Sequence, residues 1–441
     1  QAVVTEILEK RPKYFPARML NAQLMIKKGE FSDAAQLLSE LIKEEPNSAR
    51  ARYFSGLAHA ALGDTHVAKS ALIKAAELAP RDLKSRILLS QIYMRERDFG
   101  LAQKSIEEAL AIHPTSYEAK LLAGNILAAQ ENFPEARTAY ETLLSIDPNN
   151  PAGYFRLGSL DQAQQQFIAA RKNYEKALSI NPRLMDVFSN LISVLGAQQK
   201  IDEALARCDS QLDIVKDTPE IEAVVYNLKG RLYLSKNNRD AAEKAFNTAI
   251  AKNQNLMQPY YTLARLYLSE RNADKAIEQF KRLLEVNPNQ VGPHMLLGIV
   301  YDANKKYDQS EKHYRKALEI NSEFAPAANN LAFLLAEQNR DLDEALKWAR
   351  TAKEIMPEDP NVMDTLGWAY YRKGLLDSAI GEFKDSLEKK PDNPAVIYHL
   401  AMAYYQQDDR ERARVEIERA FQISDNFIGS DDAKRVLAEL K

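Results

Sequence analysis

Cysteine is nearly absent from this chain of 441 residues, and Cys208 alone cannot close an intramolecular disulfide. It falls within an apolar helical pattern, where a buried, inert thiol is expected. Disulfide-poor proteins occupy both cytoplasm and periplasm, so the count leaves the compartment open. Histidine is sparse as well. The six residues at 59, 66, 113, 294, 313 and 399 include no pair three or four apart with a carboxylate, as a metalloprotease helix requires. A P-loop, a dinucleotide-binding glycine fingerprint and a nucleophile elbow are all missing. The expectation is a non-enzymatic chain without metal or cofactor, in which carboxylate pairs such as Glu107-Glu108 and Asp408-Asp409 are solvated surface.

No apolar run reaches the ~18 residues that would cross a bilayer. Residues 1–20 carry Glu6, Glu9, Lys10, Arg11 and Pro12 where a signal peptide would have its apolar core. The formal net charge is -3, with Lys and Arg scattered, so no basic stripe is available to neutralise a phosphate backbone. Nucleic acid is disfavoured as a partner. With 45% apolar and 27% charged residues, the composition is that of a folded globular protein.

What the chain does have is a repeat. Pro12, Pro46, Pro80, Pro114, Pro148 and Pro182 follow one another every 34 residues. Ala34, Ala68, Ala102, Ala136, Ala170 and Ala204 keep the same period. Twelve residues before the alanines stand Ala22, Gly56, Ser90, Gly124 and Gly158, until Ile192 breaks the series. Small residues on two facing helices permit close approach, and the proline ends the second helix because it lacks an N–H and disfavours a helical residue before it. Gly29-Glu30 and Gly63-Asp64 mark the turn between the two helices, A and B.

With Gly56 at position 8, repeats begin at 15, 49, 83, 117, 151, 185, 223, 257, 291, 325, 360 and 394. An irregular repeat at about 185–222 carries a four-residue insertion, and a single-residue insertion falls near Asn339–Asp341. Residues 1–14 read as the second helix of a truncated repeat, so upstream is the place any targeting or anchoring segment would have, and the exposed half repeat is a candidate for self-association. Residues 430–441 read as a capping helix, with Ser430 as N-cap and Asp431 and Asp432 in the first turn. Ordering one 34-residue repeat costs on the order of 50 kcal/mol, which needs about 2,000 Å² of apolar burial to offset. A lone helical hairpin cannot hide that much, so residues 15–429 are expected to stack as one continuous solenoid.

These ladders resemble the tetratricopeptide repeat. Its signature is met by Gly56, Ala68 and Pro80, by Tyr226, Leu228, Gly230, Tyr233, Ala242, Phe246 and Ala249, and by Leu366, Gly367, Tyr370, Ala379, Phe383 and Pro391. The resemblance implies an all-α, right-handed α-α superhelix whose A helices line a concave groove, and a scaffold that binds a protein or peptide there. Positions 2, 5, 9, 12 and 13 of helix A are the groove candidates, because positions 4, 7, 8 and 11 already face helix B. In the C-terminal repeats these include Asn329, Phe333, Asn361, Asp364, Trp368, Tyr371, Arg372, Met402 and Tyr405, with His399 adjacent. Aromatics with Arg and Asn are the composition of binding hot spots. Packing between successive A helices is the alternative. A second patch, Asn227, Arg231, Tyr261 and Arg265, places two guanidinium groups at equivalent positions of adjacent repeats, suited to an acidic side chain or a C-terminal carboxylate. Pairing of each arginine with a neighbouring helix's carboxylate is the alternative there.

The Lys, Asn and Arg clamp of chaperone-binding tetratricopeptide domains has no counterpart here. The asparagine ladder of O-linked N-acetylglucosamine transferase is also missing: Leu20, Phe54, Leu88, Leu122 and Arg156 stand at its position 6, and only Asn190 and Asn330 match. The segments 329–336, 341–346 and 364–371 are similar to bacterial envelope tetratricopeptide proteins of exopolysaccharide export and the PEP-CTERM/exosortase system. That similarity implies a role in a bacterial export or assembly complex, with the envelope or periplasm favoured over the cytoplasm. The alternatives are a regulatory peptide receptor and the substrate-recruiting region of a larger enzyme, such as a glycosyltransferase, whose catalytic domain lies outside this chain.

Overall fold

The computed structural model describes residues 2–440, and among them the chain forms twenty-six helices and no strand. The residues group into two compact units, Gln1–Asp217 and Thr218–Lys441. Within each, every helix packs on the next in sequence. A helices also touch the A helix one repeat on, as Lys84–Arg95 does Tyr117–Ala129 and Ala325–Glu337 does Pro360–Arg372.

All twelve turns between A and B helices are built alike. The residue at position 15 has positive φ in each, and only Gly29, Gly63 and Gly374 are glycines. Arg97, Glu131, Gln165, Gln199, Asn237, Arg271, Lys305, Asn339 and Asp408 hold the same left-handed conformation at a cost of roughly 1 kcal/mol each. The return is closure of the A helix: Asn237 donates its N–H to the Leu234 carbonyl at 2.8 Å and Asn238 to that of Tyr233 at 2.9 Å. Glycine content alone therefore reveals three turns of the twelve, and the period reveals the others.

The small residue at position 8 exists for one neighbour, the residue at position 24 of helix B. A Cβ on Gly124, Gly158, Gly230 or Gly367 would lie 2.5–2.6 Å from the ring of Tyr140, Tyr174, Phe246 or Phe383. At Gly298 it would lie 2.3 Å from Tyr314 Cε1. Ile192, which breaks the small-residue series, faces the reciprocal change: position 24 of that repeat is the buried Cys208. Gly298→Ala is expected to lower the stability of the second unit by about 1–3 kcal/mol in denaturant unfolding. Adding Tyr314→Leu is expected to restore most of that loss, because it recreates the buried pair already present at Ala22 and Leu38.

The four extra residues of the irregular region form an added turn at the start of the next A helix. Pro219–Ser235 has 17 residues where its neighbours Met257–Ser269 and Val291–Ala303 have 13. The single insertion is absorbed by Asp341, which stands left-handed just before helix Leu342–Ile355. At the C-terminus, helix Ser430–Glu439 covers Tyr398, Ala401, Met402 and Ile417 with Ala433 and Val436. The expected N-cap is displaced by one residue. Gly429, at φ 89, is the cap and Ser430 is already helical, because the Tyr398 ring leaves no room for a side chain at 429.

Candidate functional site

Position 9 of the A helices in the second unit reads Arg231, Arg265, Ile299, Phe333, Trp368 and Met402, a column that changes from cationic to apolar. Arg231 and Arg265 are exposed, and among the described residues neither side chain has an ion pair or hydrogen bond. Arg239 and Arg315 of the same unit are held, by Glu270 at 3.2 Å and by Glu344 at 2.6 Å, whereas Arg271 and Arg414 are, like Arg231 and Arg265, exposed without a side-chain ion pair or hydrogen bond among the described residues. One turn before Arg231, Asn227 is buried with its Oδ1 unpartnered. Tyr261, one turn before Arg265, is half-buried against Phe280, and burial pushes its phenol up.

At the other end of the column the side chains hold one another. The Trp368 indole is 5% exposed, stacked between Tyr371 at 4.8 Å and His399 at 4.3 Å. Its N–H donates to Glu337 Oε2 at 2.9 Å, and the Arg372 guanidinium lies 5.8 Å from the ring. His399 Nδ1 is 2.7 Å from Asp364 Oδ1. Tyr398 and Tyr405 donate their hydroxyls to Asp432 and Glu439 of the terminal helix, at 2.9 Å and 2.7 Å. Burial and then the Asp432 hydrogen bond push the Tyr398 phenol up strongly.

A histidine pair lies between helices Val291–Ala303 and Tyr307–Ile320. His294 Nε2 lies 3.2 Å from the Pro288 carbonyl oxygen and donates to it, so Nδ1 is the acceptor in the neutral ring. His313 Nδ1 then donates across 2.9 Å to His294 Nδ1. A second proton would set two N–H groups face to face. Burial first, then the His294 charge and Lys312 and Lys281, hold His313 down at about 4. His294 is lowered by burial and Lys316, against the opposing pull of Pro288 and Glu319. Unfolded histidines titrate near 6.5, so between about pH 6.5 and 4 the unfolded chain binds more protons than the folded one. Stability from this pair is complete above about pH 6.5 and is lost as the pH falls toward 4. His313→Gln is expected to reduce the slope of unfolding free energy against pH in that window by up to about 1.4 kcal/mol per pH unit, read from urea titrations.

In the first unit, the A-helix side of the repeats beginning at 83, 117 and 151 borders an open cavity of about 630 Å³. Its wall contains Met94, Phe99, Phe133 and Leu160, with Ala128, Ala129 and Ala163 leaving the space open. Arg97, Asn125, Ser159 and Arg156 are its polar members. The Tyr140 hydroxyl donates to Asn125 Oδ1 at 3.0 Å, and burial pushes that phenol up to about 12.

Three family models, each described as tetratricopeptide repeat, match the chain: one at 87–151, 261–326 and 295–360, a second at 1–58 and 370–440, and a third at 49–82, 151–184 and 223–254. The chain belongs to the tetratricopeptide-repeat family. Its fold is the all-α superhelical repeat fold, and the longest stretch without a match, 185–222, coincides with the irregular region. Similar solved structures include the APC/C hetero-tetramer Cut9-Hcn1, 18% identical over 99% of this chain and 92% of that one, with a TM-score of 0.42. YrrB, described as a TPR protein with an unusual peptide-binding site, is 24% identical over 44% of this chain and all of that one, with a TM-score of 0.36. MamA from residue 41 to its end, from Desulfovibrio magneticus RS-1, is 17% identical over 38% of this chain and 94% of that one, with a TM-score of 0.35. No curated protein matches the chain.

Within these tetratricopeptide A helices the expected binding residues divide. Arg231 and Arg265 stand open, Asn361 is exposed, and Tyr261, Asn329, Phe333, Asp364, Tyr371, Arg372 and Tyr405 are half-buried. Trp368, His399, Met402 and Asn227, expected to meet a partner, are buried among their neighbours. Trp368 and His399 stack on each other from successive repeats, and Met402 lies under the terminal helix. Sequence reasoning missed Glu337, which the indole N–H requires, and the cavity of the first unit. The signal for the latter was present: Arg156 stands at position 6, where Leu88 and Leu122 occupy the two preceding repeats.

Proposed function

We propose that the protein is a non-enzymatic scaffold that holds an acidic stretch of a partner protein on the A-helix face of residues 218–441. The carrying observation is the pair Arg231 and Arg265, exposed, unpaired and one repeat apart at the same position. Two planar guanidinium groups in register can each donate bidentately to a carboxylate. Because the arginines are exposed, their attraction is screened by salt, so binding should weaken between low and physiological ionic strength. The test is co-purification from the native host with wild type and with the Arg231→Gln, Arg265→Gln double variant. A partner recovered by the wild type and lost from the variant supports the reading, and identical recovery rules it out. Participation in an envelope export complex rests on the likeness of segments 329–336, 341–346 and 364–371 alone, and the identity of the recovered partner decides it.

A further inference from the structure

The cavity of the first unit differs from the face just described in having an apolar floor and an uncompensated, partly buried cation. Arg156 is half-buried, its guanidinium 5.4 Å from the Phe155 ring, with no ion pair or hydrogen bond among the described residues. No carboxylate lines the cavity. A half-buried guanidinium without a counter-charge keeps its donors available to a carboxylate. Asp161, on the same helix, cannot serve, because it is already bound to Arg137 and Asn173. Arg97, the second cation of the wall, is exposed and likewise unpaired.

Arg97 comes from the turn after helix Lys84–Arg95 and Arg156 from helix Pro151–Ala163, the repeats on either side of helix Tyr117–Ala129. Ala128 and Ala129 of that middle helix leave the floor open between them. We propose that this cavity is a second binding site that takes an extended acidic–apolar–acidic peptide segment, its bulky apolar side chain in the cavity and its flanking carboxylates on Arg97 and Arg156. In an extended peptide, alternate side chains project to one side about 7 Å apart, so the sequence Glu-x-hydrophobic-x-Glu presents three groups to one face. Asn125 Oδ1 and the Ser159 hydroxyl are already engaged, by Tyr140 and by Phe155 and Tyr174, which leaves the Asn125 Nδ2 donor at the wall for a peptide carbonyl. The site goes beyond the reading given for the second unit and shares no residue with it.

The test uses the full chain and a fluorescein-labelled, C-terminally amidated peptide, Gly-Ser-Glu-Gly-Phe-Gly-Glu-Ser-Gly, followed by fluorescence anisotropy. Saturable binding is expected, weakened at least tenfold when both Glu are Gln or when Phe is Ser. Arg156→Leu and Ala129→Trp are each expected to weaken it at least tenfold. Both variants should fold: leucine is the residue of the two preceding repeats at that position, and Ala129 is exposed at the rim. Unchanged thermal unfolding checks this. The Arg231→Gln, Arg265→Gln variant is expected to bind this peptide like wild type, which separates a failure here from a failure of the other site. The proposal is overturned if no saturation occurs by about 1 mM peptide, if the Gln peptide binds equally, or if Arg156→Leu has no effect. It is also overturned if only a free-acid peptide ending in Phe binds.

Discussion

Trp368→Ala is expected to destabilise residues 218–441 by about 3–5 kcal/mol, the cost of removing a large buried aromatic ring. The indole is closed in by Tyr371 from its own helix and His399 from the next repeat, and its N–H is satisfied by Glu337 of the repeat before. Truncation therefore empties a contact shared by three successive repeats. Trp368→Phe keeps a ring in the stack and loses chiefly the hydrogen bond, so a loss of about 0.5–1.5 kcal/mol is expected. Urea unfolding of the two variants checks both figures. A cost below about 1 kcal/mol for the alanine variant would return Trp368 to the set of groups free to meet a partner.

Removal of Arg137 should have an effect of similar size in the first unit. Asp161 is fully buried, with one carboxylate oxygen 2.5 Å from Arg137 Nη2 and the other 2.7 Å from Asn173 Nδ2. Arg137→Met leaves that carboxylate without a counter-charge, and a loss of about 3–5 kcal/mol is expected. Asp161→Leu added to Arg137→Met should recover most of it, since a buried ion pair and a packed apolar pair differ little in net stability. Position 11, which Asp161 occupies, is filled by Leu127, Tyr233, Tyr267 and Leu335 in other repeats, so the site accepts such a side chain. A double-mutant cycle measured by denaturant unfolding is decisive: the double variant must be more stable than Arg137→Met alone.

Both predictions concern residues whose meaning the sequence stated only in part. Asp161 and Arg156 are charges at positions that are leucine in the preceding repeat, a break visible without coordinates. Their different fates were not visible. Asp161 meets Arg137 from the B helix of the preceding repeat, whereas Arg156 meets no acid at all. The position-8 glycines were legible as points of close approach, and the structure adds that each accommodates one particular ring or leucine from position 24. The irregular repeat was legible as a four-residue slip. That the extra residues would lengthen helix Pro219–Ser235 at its start depended on where that helix found its cap.

The sequence by itself determined the repeat length, the number of helix pairs, the places where helices approach closely and the terminal capping helix. These follow from interactions within 34 residues, between neighbours whose spacing repeats along the chain. Tertiary structure alone decided which A-helix side chains remain open. Arg231, Arg265, Trp368 and Met402 share one position of the repeat, yet the first two are exposed and the last two are covered. The exposure of that position is set by side chains one repeat away and, at the end, by the terminal helix: His399 covers Trp368, and Ala433 and Val436 close over the cluster that holds Met402. A periodic pattern assigns every copy of a position the same role, and only the non-periodic neighbours make the copies differ.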